Sequence, residues 1–254
     1  MSDHYIEFRN VNKAFNDHAV LDDVSFFVDR GETCVIMGRS GVGKSVALKH
    51  ILGFLRPDSG SVLIDGQDIT DWTEDQLTVI RHRVTMVFQS GALFDSLTVA
   101  ENIAFPLEKR IDLTPEQKET RVVELADELE VSSMMDKLPA ELSTGMKRSV
   151  AIARALAQDP EAILYDEPTT MVDPLMAVHT SNLILRLKEK LHKTSVVVTH
   201  DTHLAKKLAD RVVFLHEGRV AYFGPWAGFE AAPEPFLRNF LRQDELIPEL
   251  DVTA

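Results

Sequence analysis

The sequence predicts an α/β fold with a mixed sheet and an inserted helical block, on three observations. An apolar run, Thr33-Cys34-Val35-Ile36-Met37, passes directly into Gly38-Arg39-Ser40-Gly41-Val42-Gly43-Lys44-Ser45 and then into helical spacing. From Ala162 onward, short apolar runs alternate with longer helical ones. Between these two regions, from about Gly91 to Pro160, the pattern is mostly helical and interrupts the alternation.

Taken in order, Tyr5 to Phe8 and Val24 to Val28 are half-apolar runs that suit an antiparallel sheet with one wet face. Thr33 to Met37 is apolar on both faces, as a buried parallel strand requires. Helical spacing from Lys44 to Leu55 ends at Arg56-Pro57-Asp58-Ser59-Gly60. Glu116 to Leu129 is rich in helix formers behind Thr114-Pro115, a cap and first-turn pair. Ala162–Tyr165, Pro174–Leu191, Ser195–Thr199 and Thr202–Ala209 then alternate strand and helix, and Val212–Leu215 and Val220–Phe223 bracket the turn Glu217-Gly218-Arg219. These patterns divide the chain into one domain over 1–240, with a core and β subdomain at 1–89 and 161–225 and a helical subdomain at about 90–160. Residues 226–254 follow as a C-terminal helix and acidic tail.

The 254 residues are 44% hydrophobic and 26% charged, enough apolar material for a large core. No apolar run is long enough to span a bilayer, and Met1-Ser2-Asp3-His4 does not open a secretory signal. The single cysteine, Cys34, is expected to be a buried strand residue in a reducing compartment. A net charge of −13 argues against sequence-independent nucleic-acid binding and against direct adhesion to anionic lipid. Asp244, Glu245, Glu249 and Asp251 contribute a local acidic excess read as a solvated tail.

The chemistry concentrates at strand ends. Gly38 to Ser45 fits G-x-x-x-x-G-K-[ST] between a strand and a helix, the context of a phosphate-binding loop. Its glycines permit main-chain N–H groups to converge on phosphate oxygens, Lys44 would reach the β- and γ-phosphates of ATP, and the Ser45 hydroxyl would ligate Mg²⁺. Asp166 and Glu167 end the run Ala162 to Tyr165, Asp166 as a metal ligand and Glu167 as the base that activates water. Gln89, after Val84 to Phe88, would position water and touch the metal, and His200, after Val196 to Thr199, would polarise the γ-phosphate. Alone, a histidine at a strand end is usually structural and Gln89 is unremarkable; the reading rests on the four strand ends taken together.

Leu142-Ser143-Thr144-Gly145-Met146, followed by a helix carrying Arg148, Ala151, Ala153, Arg154, Ala155 and Leu156, resembles the signature motif of ATP-binding cassette ATPases. The motif order is similar throughout: Phe15, the phosphate loop, Gln89, the signature, Asp166-Glu167, the Thr170-Met171-Val172-Asp173 loop and His200. That resemblance implies an ABC ATPase fold in which Phe15 stacks on adenine. It also implies that Ser143, Thr144 and Gly145 meet the γ-phosphate held by a second copy of the chain, and that Asp173 communicates between the two sites. Thr144 and Met146 depart from the commoner Leu-Ser-Gly-Gly-Gln, which puts the turnover rate in question.

The stretch Phe88 to Phe94 with Thr98 to Leu107, and Met146, resembles the ATPase of Mla/Mce-type phospholipid transporters. The resemblance implies a place on the cytoplasmic face of a bacterial inner membrane, reached through a permease that docks near Gln89 to Leu97. It also implies a lipid-binding substrate protein and a STAS-domain partner. Leu93, Phe94 and Leu97 are expected to be exposed for such a socket, or else to pack within the helical block. Phe236, Phe240 and Leu241 lie at helical spacing and would pack on their own subunit rather than a second one. The competing readings are an importer of amino acids or other small solutes, a non-transport cassette ATPase, and a small-molecule phosphotransferase that would not need Leu142 to Met146.

Overall fold

The computed structural model describes residues 4–245. Glu249 and Asp251 of the acidic tail, and Met1 to Asp3 of the stretch read for a signal, lie outside the described residues.

Two sheets form the frame. The smaller is antiparallel, in the order β2-β1-β4-β5, from β1 (His4–Phe15), β2 (His18–Asp29), β4 (Ser59–Ile64) and β5 (Gln67–Asp68). β1 and β2 run well beyond the apolar runs that announce them. Polar residues along their wet face, such as Asn10 and Asp23, which are hydrogen-bonded to each other at 2.8 Å, continue the pairing where hydrophobicity stops. The hairpin closes at Phe15 and His18 through Asn16 and Asp17, whose φ values of 47° and 63° suit a tight turn of the primed type.

The larger sheet has the order β10-β9-β3-β8-β7-β6, with β3 (Thr33–Met37), β6 (Val84–Val87), β7 (Ala162–Asp166), β8 (Thr194–Val198) and β9 (Arg211–His216) parallel and β10 (Arg219–Gly224) antiparallel. Strand period divides its side chains between two cores. Val35, Ile163, Tyr165, Val197, Val212 and Phe214 enter the core against the helical block. Cys34, Ile36, Leu164, Val196, Val198 and Val213 enter the core shared with the smaller sheet. Both faces being covered explains why these strands read as continuous apolar runs. Cys34 is fully buried, and burial pushes its thiol up.

α1 (Lys44–Ile51) stops short of the expected Leu55, because Gly53 takes φ +64° and turns the chain back onto His50 and Lys49 carbonyls. α2 (Glu74–Arg83) leads into β6. The helical block contains α3 (Val99–Ala104), α4 (Pro115–Glu128) and α5 (Thr144–Ala157). α6 (Pro174–Leu191) and α7 (Thr202–Leu208) join the strands of the larger sheet, and α8 (Trp226–Glu230) and α9 (Pro235–Glu245) follow β10. α9 lies on its own subunit. Phe240 is within 4.9 Å of the Phe214 ring centroid, and Phe236 stacks on His216 at 4.4 Å.

Candidate functional site

The register of the larger sheet levels the ends of four adjacent strands. Ile36 of β3 pairs with Val198 of β8, Val198 with Asp166 of β7, and Tyr165 of β7 with Val87 of β6. Each strand therefore delivers its next residues to one rim, the position where parallel sheets present functional groups.

At the end of β3 the phosphate loop can be built only from glycine at its first position. Gly38 has φ +144°, and a Cβ there would stand 2.4 Å from the Leu215 carbonyl oxygen of the neighbouring strand. Arg39, Ser40 and Gly41 form the exposed outer bend of the loop, and Val42 is half-buried. Gly43, at φ +103°, lies against the Val20 carbonyl and so sets β2, near the Phe15 hairpin, beside the loop. Phe15 itself is exposed on one face, with Lys13 Nζ 5.5 Å from its ring centroid.

Lys44 is 7% exposed and curls back over the loop, donating to the carbonyls of Gly38 at 2.9 Å and Arg39 at 3.1 Å. Its Nζ also stands 3.5 Å from Glu167 Oε1. The buried ammonium is thus satisfied from both sides of the rim. Ser45 Oγ donates to Asp166 Oδ1 at 2.9 Å, which places a hydroxyl and a carboxylate side by side. Burial raises the Asp166 pKa above the usual carboxylate value, the charge of Glu167 adds to the rise, and the Ser45 hydrogen bond opposes it.

Glu167 adopts φ +48°, rare for a residue with a Cβ. Its carboxylate is bonded to His200 Nδ1 at 2.9 Å and accepts from Thr170 Oγ1 at 3.0 Å. Burial pushes this carboxyl up, but the His200 hydrogen bond and charge, Lys44 and Thr170 together outweigh burial and hold it below its ordinary value. Glu167 is therefore an ionised, oriented carboxylate at neutral pH. Gln89 sits just past the end of β6, but among the described residues its amide donates only to Met171 Sδ, at 3.8 Å, and does not reach the Ser45–Asp166 pair.

Ser143 caps α5 by accepting the Met146 N–H at 3.3 Å, and both Ser143 and Thr144 are exposed. Gly145 is buried where a Cβ would fall 1.9 Å from Met176 Cε, so the glycine lets α6 pack closely on the start of α5. Asp173 caps α6 through the Met176 N–H at 3.0 Å. Among the described residues, no hydrogen bond or ion pair joins Ser143, Thr144 or Gly145 to the phosphate loop.

The segment after Gln89 divides between the two expectations for its apolar residues. Leu93 packs partly against the helical core and Leu97 is half-buried, so of the three apolar residues only Phe94 is exposed. The cause is Asn102, fully buried, whose amide donates to the carbonyls of Phe94, Leu97 and Thr98 and accepts the Phe94 N–H. That network draws the loop inward and leaves the Phe94 ring outside. Phe105, which carried no expectation of exposure, joins it at 4.4 Å between centroids, and Phe88 is exposed nearby in sequence. Thr170 and Arg148, which the sequence offers only as members of longer motifs with no role of their own, lie beside Glu167. Neither stands out in composition, and only the tertiary fold brings them there.

The ABC transporter family profile matches residues 21–170, more than half of the chain and the span from the phosphate loop to Asp166-Glu167. The chain belongs to the ABC transporter family. Among ABC proteins it is 35% identical to the "Probable ribonucleotide transport ATP-binding protein mkl" of Mycobacterium leprae (strain TN), over 96% of this chain and 70% of that one. It is 38% identical to the "Methionine import ATP-binding protein MetN" of Brucella abortus (strain 2308), over 96% of this chain and 66% of that one. A solved dimer of the ATP-binding cassette MJ0796, in a post-hydrolysis state with ADP and Pi, superposes with a TM-score of 0.78 at 34% identity. It covers 87% of this chain and 98% of that one. The α/β fold with a helical insertion is therefore that of an ABC ATPase, and the chain is an ATP-binding, ATP-hydrolysing subunit of a transport system. Among the described residues, no helix of this ABC subunit is long and apolar enough to cross a membrane.

Proposed function

We propose that this subunit hydrolyses ATP as one half of a head-to-tail pair and so drives a membrane permease whose cargo is phospholipid. The observation that carries the paired reading is the divided site. The phosphate loop, Asp166, Glu167 and His200 share one rim, while Ser143 caps the helix that Thr144 and Gly145 begin, and among the described residues none of the three bonds to that rim. A second copy would bring its exposed Ser143 and α5 N-terminus to the γ-phosphate, where a helix N-terminus favours an anion.

The donor set fits Mg²⁺. Ser45 and Asp166 offer hard oxygens already in contact, and no group of three His, Cys, Asp or Glu forms a complete metal cage among the described residues. Such a partial set suits an ion that takes its remaining ligands from phosphates and water. Ser45 and Asp166 would hold it, and Gln89 would join them after leaving Met171. When bound, the ion would offset charge developing on the phosphates. Lys44 would exchange its loop carbonyls and Glu167 for the β- and γ-phosphate oxygens. Glu167 Oε would take the proton from the water that attacks the γ-phosphorus as its bond to the bridging oxygen breaks and ADP leaves, with His200 and Thr170 fixing the carboxylate's direction. Phe15 would stack on adenine.

Glu167→Gln is the direct test. The variant should bind ATP with wild-type affinity, lose about 100-fold or more in turnover, and elute as a dimer when ATP is present. Undiminished hydrolysis would remove Glu167 as the base.

Phe94 and Phe105, exposed and with their rings in contact, form an aromatic patch suited to a permease segment. Phospholipid as cargo rests on the resemblance of residues 88–107 and Met146 to Mla/Mce-type ATPases, as do a bacterial inner-membrane site, a lipid-binding substrate protein and a STAS-domain partner. The likeness to the methionine-import protein supports a second reading, a small-solute importer. Extracting the ligands that co-purify with the permease complex decides between the two. Phospholipid supports the first, and an amino acid would replace it with the second.

A further inference from the structure

Arg148 lies on α5, 2% exposed, at the junction between the helical block and the larger sheet. Its guanidinium donates to three main-chain carbonyls in one short segment: Glu167 at 2.9 Å, Pro168 at 2.7 Å and Thr170 at 2.6 Å. We propose that Arg148 is a positioning residue for ATP hydrolysis, fixing the segment that aims the Glu167 carboxylate; this rests on the reading of Glu167 as the base.

Three features favour this over ordinary packing. A buried cation carries a desolvation cost that an apolar side chain of similar volume would avoid, and these bonds go to carbonyls rather than to an ion-pair partner. Glu167 holds a left-handed backbone, a conformation that persists only where its surroundings over-determine it. The planar guanidinium fork grips the carbonyl of Glu167 itself and two of the next three, a geometry lysine cannot reproduce. The grip also reaches the carboxylate by a second route. Arg148 anchors the Thr170 carbonyl, and the Thr170 hydroxyl donates to Glu167 Oε2 at 3.0 Å. Among the described residues, Arg148 itself makes no bond to the phosphate loop or to the Glu167 carboxylate.

The test compares Arg148→Gln, Arg148→Lys, Glu167→Gln and the Glu167→Gln/Arg148→Gln double variant in the full chain. Steady-state and single-turnover ATP hydrolysis and nucleotide affinity are measured for each. Arg148→Gln should lower kcat by about 10- to 100-fold, the scale of an ångström-sized misplacement, while KM and nucleotide affinity stay within about two-fold. Arg148→Lys should recover part of the rate. In the Glu167→Gln background, Arg148→Gln should cost little more, because the carboxylate it places is gone. A wild-type kcat in Arg148→Gln overturns the proposal. So does an equal loss in both backgrounds, or a loss of nucleotide affinity, since each marks a general structural role. Should Arg148→Gln fail to fold, Arg148→Lys carries the comparison: reduced kcat at unchanged KM supports the proposal, and full kcat overturns it. Wild-type hydrolysis by Glu167→Gln would defeat the base assignment instead, and that result is read independently of Arg148.

Discussion

Asp166 and Glu167 are consecutive in the chain yet shift in opposite directions, and the difference lies in their partners. Asp166 meets burial, a neutral hydroxyl and a neighbouring carboxylate, so its charged form is disfavoured. Glu167 meets comparable burial but also an imidazole, an ammonium and a hydroxyl, so its charged form is favoured. The sign for stability follows from linkage. Glu167, with a depressed folded value, contributes stability above its unfolded value of about 4.3, lost as pH falls through the folded value. Asp166, with a raised folded value, costs stability once pH rises through its unfolded value of about 3.9 and beyond the folded one. Asp166→Asn keeps an acceptor for Ser45 and removes that charge. The nucleotide-free variant should therefore melt at a higher temperature than wild type at pH 7, and the gap should close toward pH 4. A lower melting temperature at pH 7 would contradict the assigned strain.

Among the elements, α9 shows how an exposed-looking segment becomes part of the core. Phe240 is nearly buried against Phe214, and Phe236 covers His216, so the helix closes the end of β9 rather than trailing from it. Phe240→Ala should lower stability by about 3 kcal/mol, the scale of a large-to-small core substitution. In a domain of this size that corresponds to a fall in melting temperature of roughly 6–12 °C, measured by calorimetry. A change near zero would mean that α9 contributes nothing to the fold of its own subunit. Element boundaries were legible where pattern and packing agree. α6 runs from Pro174 to Leu191 as its apolar spacing predicts, and α4 begins at Pro115 behind the Thr114 cap. They were illegible where pairing outlasts hydrophobicity, as along the polar stretches of β1 and β2, or where one buried amide overrides apolar character, as Asn102 does for Leu93 and Leu97.

For the whole molecule, the proposed division of the site between two surfaces would make activity depend on assembly. If two chains complete one another, specific ATPase activity of the isolated subunit should rise with its concentration and saturate, as mass action requires. The measurement is rate per chain over roughly a hundred-fold dilution. A rate per chain independent of concentration across that range, from a species that stays monomeric, would remove the paired site.

The sequence by itself determined the chemistry available: a glycine loop able to take positive φ, a lysine and a serine after it, two carboxylates at a strand end, and a capped helix after Leu142. These are properties of residue type and short spacing, which the backbone obeys locally. Tertiary structure decided which of those groups meet. Parallel register levels four strand ends, so Lys44, Asp166, Glu167 and His200 converge from positions far apart in the chain. Close packing of helix on loop placed Arg148 and Thr170 behind Glu167, and a buried amide turned Phe94 out while drawing Leu93 in. Contacts of that kind depend on the fit of distant surfaces, and local pattern carries no record of them.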